Sequence, residues 1–169
     1  MRQTIPRSLT PQIVMLADRV DLIATLAACF RRQWPDYYAG CSAADIEQDF
    51  RREGNRMVLP VRLLALDRGG ALAGTVVLRE RALQTRRDLT PGIGGLFVVE
   101  HSRRRGVGSA LVSAAVATAR GMNCPVVYTV TGTAGPLFER LGWDRTGDVL
   151  HDEQRLAIYR YRIAGPPVA

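Results

Sequence analysis

The stretch Leu96-Phe97-Val98-Val99-Glu100-His101-Ser102-Arg103-Arg104-Arg105-Gly106-Val107-Gly108-Ser109 holds the residue types best suited to chemistry. It reads as an apolar strand that runs through a turn into a helix. The first turn of any helix leaves backbone N–H groups without intrahelical partners, and the aligned peptide dipoles place partial positive charge there. Such a helix start is an anion site. Gly106 and Gly108 remove side chains where backbone must approach a ligand. Arg103, Arg104 and Arg105 add fixed charge and forked donors. Together these features favour a phosphate. The competing reading is an arginine-rich solvated turn that begins a structural helix.

Several phosphate-binding classes are excluded. Leu111 stands where the dinucleotide fingerprint needs its third glycine, and Phe97 does the same after Gly92-Ile93-Gly94. All 23 basic residues are arginine. Without lysine there is no Walker loop and no Schiff-base chemistry.

The elements that would position this site follow from periodicity. Between Arg105 and Arg120 no residue is charged. Val107, Leu111 and Ala114 share one helical face and Val112 and Val116 another, so the helix over 107–120 is expected to be largely buried and its start rigid. Upstream, a first strand is expected at 13–16. Asp18 is expected to cap a helix through Leu22, Leu26 and Phe30, ended at Pro35. Ser42 and Asp45 form a capping box for a second helix ending near Gly54. Runs at 61–66 and 71–78 flank Asp67-Arg68-Gly69-Gly70 and read as a hairpin. Residues 79–91 read as a loop, 94–99 and 126–130 as apolar strands, 135–141 as a short helix ended by Gly142, and 156–163 as a last strand. Two apolar strands joined by a crossover helix imply parallel pairing. The expected class is therefore α/β (α+β), a mixed sheet with helices on its faces and a central parallel strand-helix-strand unit, built as one domain over residues 1–169.

The chain has 169 residues, 47% hydrophobic and 23% charged, with a formal charge of +7. These are globular proportions. The basic balance suits an anionic partner or reflects arginine spread over a solvated surface. No helix-turn-helix or aromatic RNA motif accompanies it, so no nucleic-acid partner is expected. Met1 to Pro6 show no signal peptide, the run from Leu22 to Phe30 is too short to span a bilayer, and Gly165-Pro166-Pro167 reads as a frayed tail. The expectation is a soluble, cytoplasmic protein with no membrane partner. Three cysteines without CxxC spacing and two histidines argue against a disulfide framework or a metal site.

At Arg103-Arg104-Arg105-Gly106-Val107-Gly108 the sequence resembles the GNAT superfamily of N-acetyltransferases, whose signature is Arg/Gln-x-x-Gly-x-Gly/Ala at a strand-to-helix turn. Leu137-Phe138-Glu139-Arg140-Leu141-Gly142-Trp143 is similar to the family's late helix ending in Gly-aromatic. The resemblance spans roughly residues 12 to 163 and is strongest over 88 to 143. It implies a mostly antiparallel mixed sheet and acetyl-CoA as co-substrate, with no metal. The two parallel strands would splay apart. Pantetheine would pair with the backbone of Leu96, Phe97 and Val98, and the pyrophosphate would sit on N–H groups from Arg104 to Ser109, with Phe138 close by. The acceptor would be a small-molecule amine or a peptide N-terminus; a homodimer is left open.

Two of the family's catalytic assignments do not carry over. The tyrosine acid that many members place four residues before the Gly-aromatic pair is Phe138 here, which has no proton to give. The carboxylate base that another branch carries at the start of the fourth strand is absent from Gly92-Ile93-Gly94-Gly95. Losing an acid or base costs typically ~10²–10⁴-fold, while positioning still contributes. Tyr128, on the strand flanking the splay, is a candidate acid, or else a packed core aromatic. Glu80, at the end of the second hairpin strand, is a candidate base, or else a solvated strand end. Glu100 and His101 read as turn residues. Trp34, Asp36, Tyr37 and Tyr38 match the loop that borders the family's acceptor pocket, where aromatics and a carboxylate would suit a cationic amine; a hydrophobic lid is the other reading. A protein that binds acyl-CoA as a sensor without turnover is the alternative that Phe138 raises.

Overall fold

Every residue of the strand Val61–Leu66 (β2) is buried, although only alternate side chains share a face. A strand with no wet face must be covered on both sides. The computed structural model, which describes residues 10–165, shows how. Val61, Leu63 and Ala65 face a core completed by the helix Val107–Gly121 (α3). Leu64 and Leu66 face a second core completed by two further helices, Ile23–Gln33 (α1) and Ala43–Arg52 (α2).

The remaining strands are Gln12–Met15 (β1), Leu72–Arg79 (β3), Gly92–Val98 (β4), Val126–Thr131 (β5), Asp144–His151 (β6) and Gln154–Arg162 (β7), with a short helix Gly135–Arg140 (α4) after β5. They form one seven-stranded sheet in the order β1-β2-β3-β4-β5-β7-β6. Every neighbouring pair is antiparallel except β4 and β5, which are parallel. The mixed sheet, the covering helices and the central parallel unit expected from the sequence are all present.

The Ser42 capping box forms: the Asp45 N–H donates to Ser42 Oγ at 3.1 Å, and the Ser42 N–H to Asp45 Oδ2 at 3.0 Å. Asp18 caps nothing. Its carboxylate is taken by the Arg56 guanidinium. Two 3-10 turns, Leu16–Asp18 and Val20–Leu22, then lead into α1, which starts later than the spacing suggests. A forked guanidinium outcompetes a single backbone amide for the same oxygens. The first strand ends at Met15, one residue earlier than expected.

β6 is the element that sequence reasoning missed. Its residues are polar and mostly exposed because it is the edge of the sheet, so no apolar alternation marks it. It pairs with β7 through Asp152-Glu153, both in the left-handed region at φ 46° and 64°, as a two-residue hairpin turn requires.

Among the described residues no helix is long and apolar enough to cross a membrane. The N-terminus, read as lacking a signal peptide, and Pro166-Pro167, read as frayed, lie outside the described residues.

The loop from Glu80 to Pro91 closes against the start of β4, where Gly92 has no room for a side chain. A Cβ there would lie 2.1 Å from the Ala82 backbone nitrogen. Gly92→Ala is therefore expected to cost about 1–3 kcal/mol, the usual penalty for overpacking, seen as a lower urea midpoint at unchanged slope.

Candidate functional site

The strand-to-helix turn has an unusual backbone. After a 3-10 turn at Glu100–Ser102, Arg103 is extended, Arg104 is left-handed at φ 59°, and Gly106 is left-handed at φ 79°. An arginine at positive φ is uncommon and costs energy. Gly106 is the N-cap of α3, and no side chain caps this helix. The first intrahelical bond is donated by Ala110 to the Gly106 carbonyl at 3.0 Å. The N–H groups of Val107, Gly108 and Ser109 thus precede the helical ladder. Val107, Leu111, Val112, Ala115, Val116 and Ala119 anchor the helix in the core, which holds its start in place.

The three arginines divide their work. Arg103 turns back and donates from Nε to the Val98 carbonyl at 3.0 Å, tying the end of β4 to the turn. Arg104 and Arg105 are exposed. Gly108 faces a junction of three elements: a Cβ there would lie 3.4 Å from Leu137 Cδ2 on α4 and 3.8 Å from Val98 Cγ2 on β4.

The parallel pairing is brief. β4 and β5 are in register only at Gly92 with Tyr128 and Ile93 with Thr129. At this fork the Thr129 hydroxyl donates to the Ile93 carbonyl at 3.0 Å. Immediately after, β4 bulges. Val77 is opposite Gly94 and Thr75 opposite Phe97, so Gly95 and Leu96 together oppose Val76. Gly95 sits at φ 55°, a conformation suited to a residue without Cβ, and a bulge of this kind bends its strand. From Gly94 onward the edge of β4 facing β5 has no ladder partner among the described residues.

On the α1–α2 face of the bulge lies a cavity of about 580 Å³. Trp34, Tyr37 and Tyr38 line it with Phe30 and Phe50. Burial pushes the Tyr38 phenol above its usual value. Two guanidinium groups lie against the bulge itself. Arg62 is 3% exposed; its Nε donates to Glu53 Oε2, its Nη1 donates to Thr75 Oγ1 at 3.1 Å, and its charge sits 4.8 Å from the Phe50 ring centre. Arg79 donates from Nη2 to the Ala82 carbonyl at 3.0 Å, and its buried Nε has no hydrogen-bond partner among the described residues. A Cβ on Gly94 would collide with the Arg79 guanidinium at 2.5 Å, and one on Gly95 would come within 3.2 Å of Arg62 Nη2. The glycines that displace a strand carboxylate are the space these arginines occupy.

The other expected site residues fall into different surroundings. The Phe97 ring packs on Phe30 and Trp34, at 5.7 and 5.9 Å between centres, whereas Leu96 and Val98 pack toward the α3 core. Asp36 does not line the cavity. Glu80 is exposed at the end of β3 and outside the cavity; the cavity's carboxylates are Asp49 and Glu53. Tyr128 packs beside Ala82, Leu89 and Ile158. Phe138 is 2% exposed, in ring contact with Trp143 and Tyr159, and Leu137 takes the place beside Gly108. Among the described residues no cluster of three or more His, Cys, Asp or Glu could hold a metal ion. Arg62, Arg79 and Glu53 were missed. Arg62 alone carried a signal, an arginine inside the apolar run 61–66; Arg79 stands at the end of its run and Glu53 in a charged helix end.

The sheet is thus forked between its two parallel strands, and an uncapped, buried helix starts beside the fork. The family model described as the acetyltransferase (GNAT) family matches residues 20–143, and the chain belongs to that family. Solved structures share the fold at low identity. An aminoglycoside 6'-N-acetyltransferase complexed with coenzyme A has a TM-score of 0.72 at 17% identity, covering 93% of this chain and 99% of that one. A Salmonella typhimurium protein solved with its cofactor acetyl-CoA has 0.67 at 15%, covering 94% and 97%. A Corynebacterium glutamicum protein, described as histone acetyltransferase HPA2 and related acetyltransferase, has 0.64 at 19%, covering 94% and 99%. No curated protein matches the sequence.

Removing one partner of a buried ion pair leaves the other uncompensated. Arg62→Met is expected to lower stability by on the order of 3 kcal/mol in urea unfolding, because Glu53 and Thr75 lose their shared partner.

Proposed function

We propose that this acetyltransferase uses acetyl-CoA, with the diphosphate on the N–H groups of Val107 to Ser109 and pantetheine along the unpaired edge of β4, and passes the acetyl group directly to an amine held in the α1–α2 cavity. One observation carries the reading: the N–H groups that precede the α3 ladder open onto Gly108, at the junction of β4 and α4, next to a strand edge without a ladder partner among the described residues. The residues fit the group. Gly108 leaves space between Val98 and Leu137, and Arg104 and Arg105 supply charge for phosphate oxygens. When bound, the co-substrate supplies an acetyl thioester.

The chain's own contribution is positioning and proton management. The amine must be neutral to attack. As the C–N bond forms and the C–S bond breaks, one proton leaves nitrogen and one returns to sulfur. We assign the first to Glu53. Its Oε2 is held by Arg62, and no hydrogen bond reaches Oε1 among the described residues. Free N–H groups of β4 beyond the fork suit the oxyanion. The buried Phe138 donates nothing, and a thiol with pKa near 8.5 is a tolerable leaving group without help. One structural neighbour is an aminoglycoside acetyltransferase. An aminoglycoside is a polycation and would meet the arginines of this cavity, so that acceptor does not carry over.

Two outcomes test this. Gly108→Glu is expected to abolish acetyl-CoA binding in calorimetry while the protein stays folded; unchanged affinity would place the cofactor elsewhere. Glu53→Gln keeps an acceptor for Arg62 and is expected to lower kcat ~10²–10⁴-fold. Tight binding of acetyl-CoA with no transfer to any amine would instead identify a sensor.

A further inference from the structure

We infer that the acceptor carries a carboxylate as well as an amine, and that Arg79 binds it. The inference rests on the transfer reading for the amine alone; the carboxylate site is argued from the cavity.

Three arginines line the cavity: Arg52, Arg62 and Arg79. Arg52 pairs with Asp49 at 3.2 Å. Arg62 pairs with Glu53, bonds Thr75 and lies over Phe30 and Phe50. Arg79 has no carboxylate partner among the described residues. One of its five donors reaches the Ala82 carbonyl, and Nε is unbonded but sealed from the cavity, so a ligand would meet the Nη atoms. Burial lowers the Arg79 pKa from the ordinary guanidinium value; the Glu53 carboxylate nearby acts against that shift, and the Arg62 charge adds to it. Half-buried cations without a counter-ion are costly, and the forked geometry matches a carboxylate in two parallel hydrogen bonds.

The position gives this cation a purpose. Its guanidinium rests on Gly94, one residue past the last paired position of β4 and so at the fork where transfer would occur. A zwitterion anchored there by its carboxylate would have its amine within the same cavity as Glu53, and its body against Phe30, Trp34 and Tyr38. Those rings suit an apolar or aromatic side chain. A polyamine gains no partner for Arg79 and adds repulsion, which excludes it by charge. The chemical class is thus a hydrophobic amino acid.

The test compares matched pairs: phenylalanine with phenethylamine, leucine with 3-methylbutylamine, and spermidine as the cationic control. The expected result is a kcat/KM about 10–100-fold higher for each amino acid than for its decarboxylated partner, the usual worth of hydrogen bonds to a charged group, with spermidine poorest. In Arg79→Met the ratio within each pair falls to near one, and Arg79→Lys, which keeps charge without the fork, retains part of it. Equal turnover within pairs in the wild type, or a ratio that survives Arg79→Met, overturns the inference. Calorimetry with N-acetyl-phenylalanine gives a readout without turnover: binding by the wild type, weakened at least tenfold in Arg79→Met. If that ligand binds through Arg79 but no amine is acetylated, the transfer reading fails and the carboxylate site stands. If amines are acetylated regardless of a carboxylate and N-acetyl-phenylalanine does not bind, the reverse holds.

Discussion

The separation of β4 from β5 is the constraint on which the rest depends. Two parallel strands in the middle of a sheet ordinarily stay paired, since each unbonded backbone group away from water is costly. Here the ladder ends after Ile93 and Thr129. Several features hold the fork open without collapse. The Thr129 hydroxyl meets the Ile93 carbonyl, the bulge at Gly95 bends β4, and Arg103 fastens the Val98 carbonyl to the turn. β4 keeps its bonds to β3 on its other edge, and β5 keeps six register pairs with β7. The fork is thus a local opening between two well-paired half-sheets, with α3 starting directly beyond one prong.

Charge placement in the cavity follows from the same opening. The residues at the fork are Gly94 and Gly95, and the space that their side chains would fill holds Arg79 and Arg62. Arg62 is neutralised by Glu53 at the end of α2, which ties the helical layer to the sheet through a buried pair. Such a pair adds modest net stability but fixes geometry strongly, because either partner alone is costly. It sets where the Glu53 carboxylate can be and leaves Arg79 as the cavity's guanidinium without an ion pair among the described residues.

Much of this was legible in the sequence. The helix from Val107 declared itself by a long run without charge between Arg105 and Arg120, and the turn before it by glycines and arginines with few other uses. The hairpin at Asp67–Gly70 and the Ser42 capping box are local chemistry and formed as local chemistry dictates. What escaped was set by distant partners. Asp18 looked like a cap, and only the fold brings Arg56 to it across 38 residues. β6 is an edge strand with nothing apolar to announce it. Arg62 and Arg79 read as ordinary basic residues, because a count of charges does not show which of them a sheet buries. The same blindness made Glu80 look better placed than Glu53.

The departures from the family pattern then form one consistent change. β4 carries glycine at the fork, where a branch of the family has a carboxylate. Phe138, in contact with Trp143 and Tyr159, has given up the hydroxyl on the other side. The α1–α2 face holds a carboxylate from the end of α2 and two guanidiniums from β2 and β3, all lining the same cavity. Chemistry carried by a layer that also bound the acceptor would couple the two tasks. Under the proposed transfer, a molecule that answered the Arg79 charge would also lie in the cavity that Glu53 lines, so one contact would select and orient the acceptor. Orientation of this kind is worth more to a direct attack on a thioester than an added acid would be, since the leaving thiolate needs little help.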